Sequence, residues 1–289
     1  MRLVTFRQGG TPRLGRLEGE EIVDLAAAAP RLPTEMIALL EAGSAALDDA
    51  GRADGPRLAL DDVTLASPVL RPPKILAVGL NYADHVAETG METPKHPVIF
   101  NKQATSITGP FDPFHLPRAS ECLDYEGELA IVIGRRCRHV PKNRAHEVIA
   151  GYCVANDVSV RDWQIRVPTM TMGKSFDTHC PLGPALVTAD EIGGTPAGHE
   201  IKTTVNGEVR QHSNTKELIY DCFDLVEHLS TAFTLEPGDV IVTGTPGGVG
   251  VAMKPPKWLV AGDVVRIEIE GIGTIENAVI EEPADTVVL

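Results

Sequence analysis

Glu126 and Glu128 stand two residues apart in Asp-Tyr-Glu-Gly-Glu-Leu-Ala-Ile-Val-Ile-Gly (124–134), a run that otherwise reads as a strand buried on both faces. Alternation places Glu126, Glu128, Ala130 and Val132 on one face and Tyr125, Leu129, Ile131 and Ile133 on the other. At about 3.3 Å per residue the carboxylates lie roughly 7 Å apart and repel by roughly 2 kcal/mol at an effective dielectric of about 20. Desolvation of each ion adds several kcal/mol. Such a pair needs raised pKa values or a divalent cation between its members. No lysine or arginine alternates with the acids, which disfavours a solvated strand end. Asp157, about thirty residues on in Asn156-Asp157, is the natural third ligand. Taken alone, Asn-Asp reads as a turn. Three hard oxygen ligands without His or Cys suit Mg²⁺ or Mn²⁺ better than Zn²⁺ and leave positions open for water and substrate.

Other chemistry-bearing residues follow. Arg161, Gln164 and Lys174 supply donors that can stabilise an oxyanion beside a metal. Gly173-Lys174-Ser175 lacks the first glycine of a phosphate loop, since position 168 is Pro168, so nucleotide binding is rejected. His85 and Glu88 share one face of a short helix expected to be capped by Asn81 and ended by Gly90; the carboxylate can orient the imidazole as a general base for water. Such a pair by itself is more often a surface contact. The glycine-rich stretch 243–250 follows a strand and can present Gly244 N–H and the Thr245 hydroxyl to a substrate carboxylate, or simply make a turn. Cys180 beside His179 is not read as a nucleophile, because neighbours in an extended segment point apart.

The elements that must position these groups divide into residues 1–70, a small N-terminal α+β domain, and 71–289, a larger catalytic domain, with prolines 68, 72 and 73 at the junction. The first part has strand-like pieces at 3–6, 14–17 and 21–25 and a helical run near 34–41. In the second, strands are predicted at 75–78, 98–101, 126–133, 151–156, 185–188, 201–205, 240–243 and 264–270. One long helix is predicted over 215–234, where Leu218, Cys222, Leu225, Leu229 and Phe233 form an i, i+4 stripe and Asn214 with Glu217 forms the cap. Strands do not alternate with long helices, so the fold class is α+β and β-rich rather than Rossmann or barrel.

The whole chain limits the partners. Its 289 residues carry 26 basic and 40 acidic side chains, a net charge of −14 that opposes nucleic acid and anionic membranes. No apolar run is long enough to span a membrane. Met-Arg-Leu-Val-Thr-Phe-Arg leads into polar Gln8-Gly9-Gly10 rather than a signal core, so the cytoplasm is the expected compartment. The five cysteines lack a C-x-x-C pair and read as reduced and mostly buried.

Together, Asn81-Tyr-x-x-His85-x-x-Glu88, Glu126-x-Glu128, Asn156-Asp157-x-x-x-Arg161-Asp-x-Gln164, Gly173-Lys174-Ser-Phe-Asp and Thr243-Gly-Thr-Pro resemble the fumarylacetoacetate hydrolase family over about residues 73–289. The resemblance implies a mixed β-sandwich roll, a homodimer, and Mg²⁺ or Mn²⁺ held by Glu126, Glu128 and Asp157. It also implies water activation by His85 with Glu88, and oxyanion stabilisation by Arg161, Gln164 and Lys174. Lys102 keeps the family's lysine, expected at the substrate, although Gln103 replaces a common proline; His179 receives no catalytic role. The leading expectation is hydrolysis of a C–C bond in an acylpyruvate-like β-diketo acid through a metal-bound enolate. Isomerisation of an unsaturated 2-oxo diacid, decarboxylation of oxaloacetate and dehydration of a sugar acid use the same apparatus. An inverting glycosidase fits the carboxylate spacing, but aromatic residues for sugar stacking are few. A 2-oxo-acid-binding relative without turnover is the non-enzymatic alternative.

Overall fold

The computed structural model describes residues 1–194 and 196–284. Strand Gly127–Ile133 lies at its centre and is buried at every residue. Leu129, Ile131 and Ile133 enter one hydrophobic core, while Ala130 and Val132 enter another on the opposite face. The doubly buried strand expected from the sequence is therefore present, one residue shorter at its start.

This strand pairs antiparallel with Ile149–Asn156 and with Val240–Val242. Beyond Ile149–Asn156 the sheet continues through Cys180–Thr188 to Arg2–Arg7, Arg13–Glu18, Glu21–Asp24 and Arg57–Ala59. Beyond Val240–Val242 it continues through Ile75–Gly79, which runs parallel, to Val98–Lys102. A five-stranded sheet, ordered Glu208–Asn214, Glu200–Val205, Val264–Ile269, Gly273–Glu281 and Phe114–Leu116, shares the first core through Ile201, Val205, Ile267 and Ile275. Helices Met36–Glu41 and Ser44–Arg52 supply Met36, Leu39, Leu40 and Ala50 to the second core. The fold is α+β and strand-rich; among the described residues its two larger sheets are mixed and unclosed, and Leu123–Asp124 pairs with Ser159–Val160 in a separate two-stranded sheet. Among the described residues no helix is long and apolar enough to cross a membrane.

Two helix expectations are corrected. The run 215–234 breaks into a turn of 3₁₀ helix at Thr215–Glu217 and an α-helix at Cys222–Ala232. Leu218 is extended and bridges Tyr82, so the apolar stripe crosses two elements. Asn214 caps the 3₁₀ turn, whereas Asp221 and Asp224 form a reciprocal capping box on the α-helix. In Ala83–Thr89 the N-cap is Tyr82, and the side chain of Asn81 instead donates to the carbonyls of Tyr220 and Thr243. Gly90, at φ 67°, ends that helix as expected.

Candidate metal centre and its cavity

The sheet breaks at Tyr125 and Glu126, and this break turns the first glutamate toward the other acids. Asn156 replaces a ladder partner there, its Oδ1 accepting the Glu126 N–H at 3.0 Å, while Asp157 N–H donates to the Glu126 carbonyl at 2.9 Å. Glu126, Glu128 and Asp157 are all buried, and each offers an oxygen within 4.8 Å of the others. They are closer than a flat strand pair because Glu126 lies outside the regular strand.

Three cations surround them. Lys174 Nζ donates to Glu126 Oε2 at 2.7 Å and to Asp157 Oδ2 at 2.8 Å. Arg161 contacts Glu126 Oε1 through Nη1 at 2.5 Å and donates from Nε to Asp124 Oδ2 at 2.8 Å. Lys102 Nζ donates to Asp157 Oδ1 at 2.7 Å and also to the Lys174 carbonyl. Burial pushes the Glu126 carboxyl up, but Lys174 and Arg161 outweigh it and hold the group down at about 2. Glu128 goes the other way: burial, then Asp157 and Glu126, push its carboxyl well above the usual range. Among the described residues no lysine or arginine pairs with Glu128, whose Oε2 accepts Gly244 N–H at 2.7 Å. The donor set therefore fits a hard divalent cation, which would supply the charge that Glu128 lacks.

Gly244 makes this arrangement possible. Its φ of 103° suits glycine, and an added Cβ would meet Asn81 Cβ at 2.8 Å. Its N–H is directed to Glu128 rather than left open for a substrate carboxylate. The Thr245 hydroxyl donates to the Gly127 carbonyl at 3.0 Å and accepts from Gln211 Nε2 at 2.8 Å. Gly173 allows a second close approach: an added Cβ would lie 2.2 Å from Gln164 N, so the turn Arg161–Gln164 could not pack against Thr171–Lys174.

Opposite the acids, His85 Nδ1 faces Glu88 Oε2 at 3.4 Å on helix Ala83–Thr89. Both Glu88 oxygens also accept Gly248 N–H at 3.0 Å, and Asp84 accepts from Ser213 Oγ at 2.5 Å and Gly247 N–H at 3.3 Å. His85, Glu126, Arg161, Gln164, Lys174 and Thr245 line one cavity of ≈ 520 Å³. Lys102 is buried, is not part of that lining, and its ammonium donates to the Asp157 carboxylate. Gln164 Oε1 accepts from Arg161 Nη1 at 3.0 Å.

Asp124 is a site residue that sequence reading missed. It accepts Gly250 N–H at 2.8 Å and Val251 N–H at 3.0 Å besides Arg161, so it ties the glycine-rich loop to the acidic cluster. The available signal was a third acid opening Asp-Tyr-Glu-Gly-Glu. His179, assigned no role, is buried with Nε2 2.8 Å from the His115 carbonyl, and burial pushes its imidazole down to about 3.

Residues 74–280 match the family described as fumarylacetoacetate (FAA) hydrolase C-terminal, and residues 1–68 match Rv2993c-like, N-terminal. The mitochondrial oxaloacetate tautomerase of Xenopus laevis is 45% identical, covering 97% of this chain and 90% of its own. A fumarylacetoacetate hydrolase from Exiguobacterium antarcticum is 39% identical with a TM-score of 0.87, covering 98% of this chain and all of that one (100%). The maleylpyruvate hydrolase of Sphingobium sp. SYK-6, solved with manganese(II) and pyruvate, is 34% identical with a TM-score of 0.77, at 98% and 100% coverage. With matches that span nearly its whole length, the chain belongs to the fumarylacetoacetate hydrolase family.

Proposed function

We propose that this protein is a divalent-metal-dependent enzyme of 2-oxo acids that moves a proton at the carbon next to the keto group, with keto–enol tautomerisation of oxaloacetate as its first reaction. The observation that carries the reading is one cavity lined by His85, Glu126, Arg161 and Lys174, with Glu128 and Asp157 offering oxygens within 4.8 Å of Glu126 and with Glu88 beside His85. The extended similarity to an oxaloacetate tautomerase supports this choice of substrate.

Bound at Glu126, Glu128 and Asp157, Mg²⁺ or Mn²⁺ supplies Lewis acidity to the 2-oxo acid. His85, with Nδ1 turned to Glu88, leaves Nε2 to take a proton from carbon 3 and return one in the reverse direction. Lys174 and Arg161 place positive charge where the enolate oxygen develops, Arg161 being held by Asp124 and Gln164. Lys102 holds Asp157 from behind.

A second reading, C–C hydrolysis of an acylpyruvate, is favoured by the same His85–Glu88 geometry, which suits activation of water. The protein is further proposed to be a homodimer acting in the cytoplasm; light scattering should then give twice the 30.9 kDa chain mass.

The test follows ultraviolet loss of enol-oxaloacetate and pyruvate release from acetylpyruvate, using metal-stripped, Mg²⁺-loaded and Mn²⁺-loaded protein. Metal-dependent acceleration of the first supports the tautomerase, and cleavage of the second alone supports the hydrolase. Neither reaction above the buffer rate, with metal bound, overturns both.

A further inference from the structure

The cavity is much roomier than a four-carbon acid requires, and its polarity is divided. Glu126, Arg161 and Lys174 are buried at its floor. The walls and mouth include Met91, Val98, Ile165, Met170, Val251 and Trp258. Ile165 is 83% exposed and Met91 55% exposed, so large apolar side chains stand in water around an opening that leads to charged groups.

Among the described residues, the outer chamber also has no lysine or arginine in its lining for a second, distant carboxylate. Both lining cations are engaged at the floor, Arg161 with Asp124 and Glu126, and Lys174 with Glu126 and Asp157. Asp162 adds negative charge to the wall. Arg166, the nearby cation, pairs with Asp162 at 3.2 Å and lies over the Trp163 ring at 3.9 Å. A long diacid would bury its far carboxylate against apolar carbon without a partner.

We infer that the outer chamber receives an apolar tail, so the protein takes monocarboxylic 2-oxo acids bearing a chain of several carbons in addition to a short acid held at the floor. The inference rests on the 2-oxo-acid reading above. Oxaloacetate is compatible with it, because a four-carbon acid keeps both carboxylates near the floor.

Calorimetric titration of Mn²⁺-loaded protein with 2-oxobutyrate, 2-oxohexanoate, 2-oxooctanoate and 2-oxosuberate tests this. Affinity should tighten by up to about fourfold per added methylene, as burial of alkyl carbon predicts. The eight-carbon diacid should bind at least about tenfold more weakly than 2-oxooctanoate, since its far carboxylate lacks a partner. Ile165→Lys, at an exposed position, should narrow or reverse that gap by supplying a cation. Equal affinity across chain length, or a diacid that binds as well as 2-oxooctanoate, overturns the inference while turnover of oxaloacetate leaves the parent reading standing. No binding by any of the four acids, together with no turnover of oxaloacetate or acetylpyruvate, overturns both.

Discussion

The acidic cluster and the His85 helix face each other across one cavity, but they are held in opposite ways. Glu128 lies on a central strand, Glu126 and Asp157 flank the ends of two central strands, and the three are fixed by Lys102, Arg161, Lys174 and the Gly244 amide. The helix Ala83–Thr89 buries just Val86 and is tied down by Asp84 and Glu88 reaching to Ser213, Gly247 and Gly248. The cluster is inseparable from the core, whereas the helix is attached at its surface. Substitutions in the first should disturb stability and metal binding together; those in the second should disturb turnover alone.

The largest effect should come from Asp157→Ala, which removes a proposed metal ligand and leaves Lys102 and Lys174 buried beside one fewer carboxylate. Loss of a buried partner of this kind costs about 3–5 kcal/mol. Thermal unfolding should show a matching fall, metal titration should show no binding, and activity should vanish. If the variant keeps its metal, the triad is misassigned.

His85→Ala should lower turnover by about 10²–10⁴ while leaving metal affinity and melting temperature unchanged. A melting temperature that falls with the rate would mean that the helix is part of the core after all.

Metal affinity should also depend on pH through Glu128. Its carboxyl is raised, so binding a cation displaces a proton, and affinity should rise by up to about tenfold per pH unit below that raised value. The sign for folding is opposite. A raised carboxyl favours the metal-free fold at low pH, and that contribution is lost as pH rises through the folded pKa. Unfolding of metal-free and metal-loaded protein should therefore diverge with increasing pH; parallel curves would show Glu128 already neutralised.

The smallest effect belongs to Glu88→Gln. The amide oxygen can still accept from Gly248, so the helix should stay in place while the charge that supports His85 is lost, lowering kcat by about tenfold. A larger fall together with a changed melting temperature would mark Glu88 as chiefly an anchor.

The acidic triad was legible because two acids in an otherwise apolar strand conflict with burial, and such a conflict can be seen without a structure. Less legible were groups whose role depends on the approach of distant segments. Asp124 joins Arg161 to Gly250 and Val251, more than a hundred residues away. Lys102 carried the right residue type, yet the side of Asp157 that it occupies is set by the packing of Val98–Lys102. Strand Gly273–Glu281 escaped detection because Glu276 and Asn277 dilute its apolar pattern; Asn277 is buried and donates to the Gly109 and Asp112 carbonyls. The helix over 215–234 was overextended because an i, i+4 stripe can run across the non-helical link between two helical elements that brings Leu218 and Cys222 to the same core.

The continuous large sheet sets an order of events during synthesis. Arg2 and Leu3 pair with Val187 and Leu186, partners that a ribosome adding about 5–20 residues per second delivers roughly 10–40 s later. Thr5, Phe6 and Arg7 meet Ala66, Leu65 and Thr64 much sooner, on the same strand. That edge of the nascent chain's first strand is thus left open over Arg2–Val4 rather than over all of Arg2–Arg7, a short template for pairing with a neighbouring chain on a crowded polysome.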